Sequence, residues 1–229
     1  MIKEDKRVRV ITGHYGSGKT EFAVNYAVAL SRVAEKAALC DLDIVNPYFR
    51  SREQEEMLNK LGVEMVYSSL KGASIDIPAV SAKITGPLVD KSYDYVIDLG
   101  GNDVGVIAMK RFRPFFDWSE VDLLLTVNVY RPDTSTPEGI LAQMAQIEQA
   151  AGARITGLIN NSNLVRETTW ECLEEGDRIL RQVTKASGVP VRYVSYIREQ
   201  CREEEVKAGL ERVCGEGFPM TYFMRQDWM

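Results

Sequence analysis

The segment GHYGSGKT, residues 13–20, has the spacing G-x-x-x-x-G-K-[ST]. Glycines at this spacing let backbone N–H groups close around phosphate oxygens, and the helix that follows adds the partial positive charge of its N-terminus. Lys19 is expected to bridge the terminal phosphates and to act in catalysis, and the Thr20 hydroxyl to ligate Mg²⁺. The alternative is a glycine-rich turn without a ligand. The segment therefore predicts a nucleotide site formed by Gly13, Gly16, Ser17, Gly18, Lys19, Thr20 and Glu21.

A second acidic element is present in YDYVIDLGG, residues 93–101, where apolar and aromatic residues lead to Asp98. An Asp at the end of a buried strand can hold the water shell of a metal ion. Gly101 follows at a distance that lets its N–H reach the γ-phosphate. Asp98 could instead cap a helix or a turn, but the glycines that follow it favour the metal site.

The third element is CDLDIVNPYFR, residues 40–50, in which Asp41 and Asp43 end an apolar run. Because they are two residues apart in extended chain, their side chains point the same way. Asp41 is expected to face the waters of the metal ion, and Asp43 to position an attacking water. The alternative is a pair of solvated acids in a loop.

Together these motifs resemble the nucleotide-binding domain shared by the MinD, ParA, nitrogenase iron protein and CobQ/CobB groups. The resemblance extends over essentially the whole chain, although only the phosphate-site motifs are specific. It implies a P-loop protein that binds ATP or ADP with Mg²⁺. An Asn at the end of a late strand contacts adenine in that group, so GLINN implies that Asn161, or its neighbour Asn160, contacts the base. The backbone of residues 194–199 would pass beside the ring.

The chain departs from that group at two places. Dimerising members carry a second Lys early in the loop, where this sequence has His14, Tyr15 and Gly16. ATP-dependent dimerisation through the loop is therefore expected to be weak or absent, which leaves a homodimer through another surface open. Nitrogenase-type members bind an iron–sulfur cluster through Cys residues, and GGNDVGVIAMKRF, residues 100–112, has none. No iron–sulfur cluster is expected.

Adenine is favoured over guanine by the segment that follows Asn160. Proteins that bind GTP use N-K-x-D, in which the Asp accepts both guanine N–H groups. The corresponding residues here read N-N-S-N, with Asn163 in place of the Asp. A neutral amide offers one acceptor oxygen and a repelling NH₂ group, so it reads guanine poorly.

Charge and composition narrow the class of protein. The net charge of −5 disfavours nucleic acid as a partner. The four cysteines are scattered, which fits reduced thiols rather than a disulfide framework or a zinc site. No apolar run approaches the length of a membrane span, and the first residues lack the apolar stretch of a signal peptide. A cytoplasmic protein without a membrane association is expected.

The elements that must position these motifs alternate between apolar strands and helical patterns. Strands are expected at 7–12, 36–43, 63–68, 93–100, 121–129, 154–161 and 189–196. The pattern predicts a single α/β domain over residues 1–229, with a doubly wound, mostly parallel sheet and helices on both faces. One helix should have Thr136 as N-cap, Pro137 first and Gly152 at its end. The tail FPMTYFMRQDWM could add a late strand or pack across the sheet, with its aromatic residues in the core.

Three functions are compatible with these motifs. The first is a slow ATPase that acts as a nucleotide-driven switch on a protein partner, through the segments 43–50 and 101–113. The second is an ATP-dependent small-molecule kinase or ligase resembling dethiobiotin synthetase, in which loop arginines bind an acidic substrate. A catalytically dead scaffold is disfavoured by the joint presence of Lys19, Thr20, Asp43 and Asp98. The arginines considered are Arg50, Arg52, Arg111, Arg113 and Arg131.

Overall fold

The computed structural model describes residues 2, 4–42, 54–67, 77–101 and 113–224. Its eight strands form one sheet in the order β3-β2-β4-β1-β5-β6-β7-β8, and every pairing within these ranges is parallel. The strands are β1 Val8–Gly13, β2 Lys36–Asp41, β3 Val63–Tyr67, β4 Tyr93–Asp98, β5 Val121–Val127, β6 Gly157–Asn160, β7 Val191–Ile197 and β8 Glu216–Met220. The predicted parallel α/β sheet is confirmed, and the tail supplies its eighth strand.

Helices cover both faces of the sheet, as predicted for a doubly wound fold. The described helices are α1 Lys19–Ser31, α2 Glu55–Lys60, α3 Ile77–Val89, α4 Pro137–Ala151, α5 Trp170–Ser187 and α6 Glu203–Leu210. Because side chains alternate along each strand, each strand contributes to two cores. Phe22 and Leu30 of α1 pack on Leu39 and its neighbours, whereas α3, α4 and α5 pack on the opposite face around Cys40. Within the described residues, no helix is long and apolar enough to cross a membrane.

The ends of α4 match the sequence-based prediction. Thr136 is the N-cap and accepts a hydrogen bond from the Gly139 N–H at 3.2 Å, Pro137 is the first helical residue, and Gly152 ends the helix with φ 63°. Strand ends were predicted less well. The run 121–129 ends as a strand at Val127, and 154–161 is a strand only from Gly157. Residues 128–129 form a loop after β5 at the carboxyl edge of the sheet, whereas residues 154–156 precede β6 at the amino edge.

A buried carboxylate at the amino edge of the sheet holds α1 in place. Asp5 accepts hydrogen bonds from the hydroxyls of Tyr26 in α1 and Tyr193 in β7, and it pairs with Arg192. Burial raises the pKa of both tyrosine hydroxyls well above the usual value, so they remain protonated donors. The cluster fixes the middle of α1 against the sheet, and with it the position of the helix N-terminus.

Candidate functional site

The glycine-rich loop connects the end of β1 to the start of α1. Gly16 and Gly18 have φ angles of 76° and 82°, in the left-handed region that favours glycine. The Ser17 N–H donates to the His14 carbonyl at 3.0 Å, which closes the loop. Gly18 is the N-cap of α1, and as a glycine it provides no side-chain acceptor for the first turn of the helix. A loop of this form is suited to an anion.

Two carboxylates lie beside this loop at the ends of neighbouring strands. Asp41 ends β2 and Asp98 ends β4, and their Cα atoms are paired in the sheet register. Each is two residues beyond a side chain that packs against the α1 face, Leu39 or Val96, so both carboxylates face that side. Asp98 is 1% exposed and Asp41 is 9% exposed. The two acids predicted to serve a metal ion are thus neighbours at the carboxyl edge of the sheet, where Asp98 also pairs with Ile11 of β1.

The loop approaches its neighbouring strands backbone to backbone. A Cβ on Gly101, just after β4, would lie 2.5 Å from the carbonyl carbon of Gly13 and closer still to its oxygen. A Cβ on Gly13 would lie 2.5 Å from the Thr126 carbonyl oxygen in β5. Real Cβ atoms do not tolerate such distances, so both positions require glycine. Gly101 therefore sits directly on the start of the loop, as a contact to phosphate would require.

Residues 131–133, which follow β5, contact the glycine-rich loop and stabilise it. The Arg131 Nε donates to the Gly16 carbonyl at 2.9 Å, and the His14 Nε2 lies 3.0 Å from the Asp133 carboxylate. The His14 side chain, 35% exposed, is therefore engaged with its own chain.

The two asparagines that were candidates for contact with a base lie on different sides of the sheet. Asn161 donates to the Ser17 carbonyl at 2.7 Å and accepts from the Ser195 hydroxyl at 2.6 Å, so it lines the cleft beside the loop. The Asn160 amide instead donates to the Leu173 carbonyl of α5 at 2.8 Å and is fully buried. Of the two alternatives, only Asn161 is in a position to contact a ligand.

A cleft of about 350 Å³ extends from the loop across the ends of β6, β7 and β8. Lys19 and Thr20 line one end of it, with side chains that are mostly buried. The far end is lined by residues that the sequence analysis did not assign to the site. These are Val165, Thr168, Met220, Tyr222 and Met224. The tail aromatics were expected in the core. The sequence feature that could have indicated these tail residues is the alternation of large side chains at positions 220, 222 and 224.

Glu21 lies in this cleft, but its carboxylate binds the protein's own backbone. It accepts hydrogen bonds from the N–H groups of Phe223 at 2.7 Å and Met224 at 3.2 Å. The residue predicted to contact the cofactor therefore shapes the wall of the cleft.

Several candidate residues are not at this site or are not described. Asp43, Arg50, Arg52 and Arg111 lie outside the described residues. Arg113 was expected near the carboxyl edge, but its guanidinium packs over Gly152 at the end of α4. Because α4 runs antiparallel to the strands, that position is at the amino edge, and the expectation for Arg113 was wrong. Arg131 does line the cleft.

Metal ligation was tested against the residues present. Among the described residues, no group of three or more His, Cys, Asp or Glu side chains could hold a metal ion alone. A magnesium ion here would therefore need the Thr20 hydroxyl and phosphate oxygens in addition to Asp41 and Asp98. That donor set is all oxygen, which suits Mg²⁺.

Comparison with known proteins establishes the fold. No protein-family model matches the chain, and no curated protein matches its sequence. The structure of FtsY from Mycoplasma mycoides aligns with a TM-score of 0.58 at 15% identity, covering 82% of this chain and 59% of that one. The cell division protein FtsY from Thermotoga maritima aligns with a TM-score of 0.54 at 20% identity, covering 82% and 60%.

Chloroplast FtsY from Physcomitrella patens aligns with a TM-score of 0.52 at 19% identity, covering 82% of this chain and 57% of that one. The matched region thus spans less than two thirds of each of these three chains. Likeness at such low identity shows the fold alone. With the glycine-rich loop, the fold places the chain in the class of α/β proteins with a P-loop NTPase fold. The narrower resemblance to the MinD, ParA and CobQ/CobB groups is not supported by these matches.

The contact between Gly101 and Gly13 can be tested by adding one methyl group. Gly101→Ala is expected to lower the free energy of unfolding by about 1–3 kcal/mol, because the methyl group must displace the backbone of the loop. Chemical denaturation measures the change. The matched control is Gly86→Ala in α3, where a Cβ meets nothing within 4 Å. That variant should be more stable by about 0.5–1 kcal/mol. Equal effects of both substitutions would show that Gly101 is not tightly packed.

Proposed function

We propose that this protein binds Mg·ATP, hydrolyses it slowly and acts as a nucleotide-driven switch on a protein partner. The observation that carries the proposal is the convergence of the glycine-rich loop with two buried carboxylates, Asp41 and Asp98, at adjacent strand ends. Phosphate is the ligand for which the loop is suited, and a divalent cation is the counter-charge that neighbouring carboxylates favour.

Each residue of the site then has a role. Lys19 bridges the terminal phosphates, and N–H groups of the glycine-rich loop, among them that of Gly18, hold the phosphate oxygens. Thr20, Asp41 and Asp98 hold the metal ion, directly or through its waters. The ion neutralises negative charge on the phosphates when bound. Asp43 orients the attacking water, a role that rests on its spacing from Asp41.

The switch is supported by the packing of Gly101. The segment 101–113 begins at Gly101, which lies directly against the phosphate loop. Contacts between its backbone and a terminal phosphate would therefore order it differently before and after hydrolysis. In the proposal, this segment and residues 43–50 recruit or release the partner. The whole chain works as one cytoplasmic domain.

Adenine as the base is supported by the chemistry of the cleft. Among the described residues that line it, Glu21 carries the only carboxylate, and that group already accepts backbone N–H groups. The Asn163 amide donates to the Asn161 carbonyl at 2.6 Å and accepts from the Val165 N–H at 3.3 Å. Neither group is placed to accept the two N–H groups of guanine. The motif resemblance to the MinD, ParA and CobQ/CobB groups points the same way.

A second function is favoured by one residue, Arg131. Its Nε is bonded to the loop, and its side chain lines the cleft. A guanidinium in this position could bind the anionic substrate of an ATP-dependent kinase or ligase. The two functions differ in whether ATP turnover requires an added acceptor.

The phosphate assignment is tested by Lys19→Ala. ATP affinity should fall by an amount equivalent to about 1.5–3 kcal/mol, because a charge-assisted contact to phosphate is lost. Isothermal titration calorimetry with Mg·ATP measures it. The control is Lys185→Ala on the exposed face of α5, which should bind as the wild type does. Equal affinity of the wild type and Lys19→Ala would contradict the assignment.

The hydrolytic role is tested by Asp43→Ala. The wild type should release phosphate from ATP slowly without any added acceptor, and the variant should bind ATP but lose turnover. Phosphate release under saturating Mg·ATP is the measurement. Turnover of Asp43→Ala at the wild-type rate would show that another group positions the water. Turnover by the wild type only after a small acid is added would favour the kinase or ligase.

The base preference is tested by competition. GTP should displace labelled ATP only at concentrations well above those at which unlabelled ATP does, because the described lining of the cleft has no carboxylate placed to accept the guanine N–H groups. Equal potency of the two nucleotides would overturn the assignment of adenine.

A further inference from the structure

The segment that follows β8 forms a continuous wall of the cleft. Residues 220–224 run on from the edge strand, and Met220, Tyr222 and Met224 all line the cleft. Beyond Met220 the chain is not strand, and it bends at residues 223 and 224. Phe223 and Met224 pack against the core under α1, of which Met220 is a buried member. The segment Thr221–Met224, called the strip below, therefore lies between that core and the cleft.

Side chains from the first two turns of α1 hold this strip. The Asn25 amide forms two hydrogen bonds with the backbone of Thr221, accepting from its N–H at 2.8 Å and donating to its carbonyl at 2.9 Å. One turn earlier, the Glu21 carboxylate accepts the N–H groups of Phe223 and Met224. Hydrogen bonds to a charged acceptor are stronger than neutral ones. Beyond Met220, Glu21 and Asn25 thus supply the backbone hydrogen bonds that a neighbouring strand would otherwise provide.

The opposite wall is the loop between β6 and α5. Val165 lines the cleft with a φ of 66°, a conformation that a β-branched residue adopts only at a cost. The Gln200 side chain donates to the Tyr222 hydroxyl at 3.2 Å, which anchors the tip of that side chain. The two walls meet at Tyr222, whose hydroxyl donates to the Val165 carbonyl at 3.5 Å. Lys19 and Thr20 line the same cleft.

We propose that the strip Thr221–Met224 is one wall of the base pocket, that Tyr222 stacks on the base, and that Glu21 holds the strip in place. The inference deepens the proposed function and rests on it. An aromatic ring and thioethers offer a flat, polarisable surface, which is what a base requires of the walls of its pocket. Because Glu21 follows Thr20 directly, the first turn of α1 serves the phosphates and the base wall together.

The test separates the base from the phosphates by comparing ATP with inorganic tripolyphosphate. Both ligands carry three phosphates, but only ATP reaches the far end of the cleft. Calorimetry in Mg²⁺ gives the affinity of the wild type and of Tyr222→Ala for each ligand. Tyr222→Ala should weaken ATP binding by roughly 5- to 100-fold, which is the range for loss of one base–aromatic stack. Its affinity for tripolyphosphate should be unchanged.

Two further variants test the aromatic ring of Tyr222 and the role of Glu21 in holding the strip. Tyr222→Phe keeps the ring and should retain ATP affinity within about two-fold of the wild type. Glu21→Ala should weaken ATP binding and leave tripolyphosphate binding unchanged. Its matched control is Glu138→Ala, which removes an exposed acid from the first turn of α4 and should affect neither ligand.

The outcomes distinguish the two proposals. Equal loss of ATP and tripolyphosphate binding in Glu21→Ala or Tyr222→Ala would show that the strip acts on the phosphate loop, and would overturn the base wall. Unchanged ATP affinity in both variants would also overturn it, as would loss of ATP affinity in Tyr222→Phe equal to that in Tyr222→Ala. If the wild type binds neither ligand, the proposed function fails, and the inference fails with it.

Discussion

The close approach of the β4 and β1 backbones, with Gly101 on Gly13, is the constraint on which the site depends. The register pairs Ile11 with Asp98, the last residue of β4, so β1 continues for two residues past that level and ends at Gly13. The pairing of Asp41 with Asp98 places the end of β2 level with the end of β4. The ends of β1, β2 and β4 and the phosphate loop are thereby fixed relative to one another. At Gly101 and Gly13, the contact is between backbone atoms, with no side chain between them.

Helix α1 connects this arrangement to the rest of the molecule. Its N-terminus completes the phosphate loop, its first two turns hold the strip after β8, and its middle is fixed by Asp5 at the opposite edge of the sheet. Tyr26 and Tyr193 pack against each other with Phe218 of β8, so the same aromatic cluster joins α1 to the edge strands. The geometry of the cleft therefore depends on one helix that is held at several points.

The sequence was sufficient for the sheet and for the phosphate loop, because both depend on local patterns. Apolar runs mark strands, and the caps of α4 follow from Thr136 and Gly152. Features that depend on distant contacts could not be read in this way. Glu21 accepts hydrogen bonds from residues about 200 positions away. Asn160, the last residue of β6, and Asn161, which follows it, differ in the side of the sheet that their side chains contact. The local spacing of residues encodes neither a long-range hydrogen bond nor the side of the sheet that one asparagine contacts.

The brace on the phosphate loop has a consequence for how a ligand would be bound. Arg131 and Asp133 restrict the backbone and side-chain motion of the loop before any anion arrives. The conformational entropy of ordering the loop is therefore lost during folding, and a ligand need not offset it again on binding. Pre-organisation of this kind favours fast association, because the loop need not change conformation before the anion can bind. It also makes the loop after β5, far along the chain, part of what sets affinity for the anion.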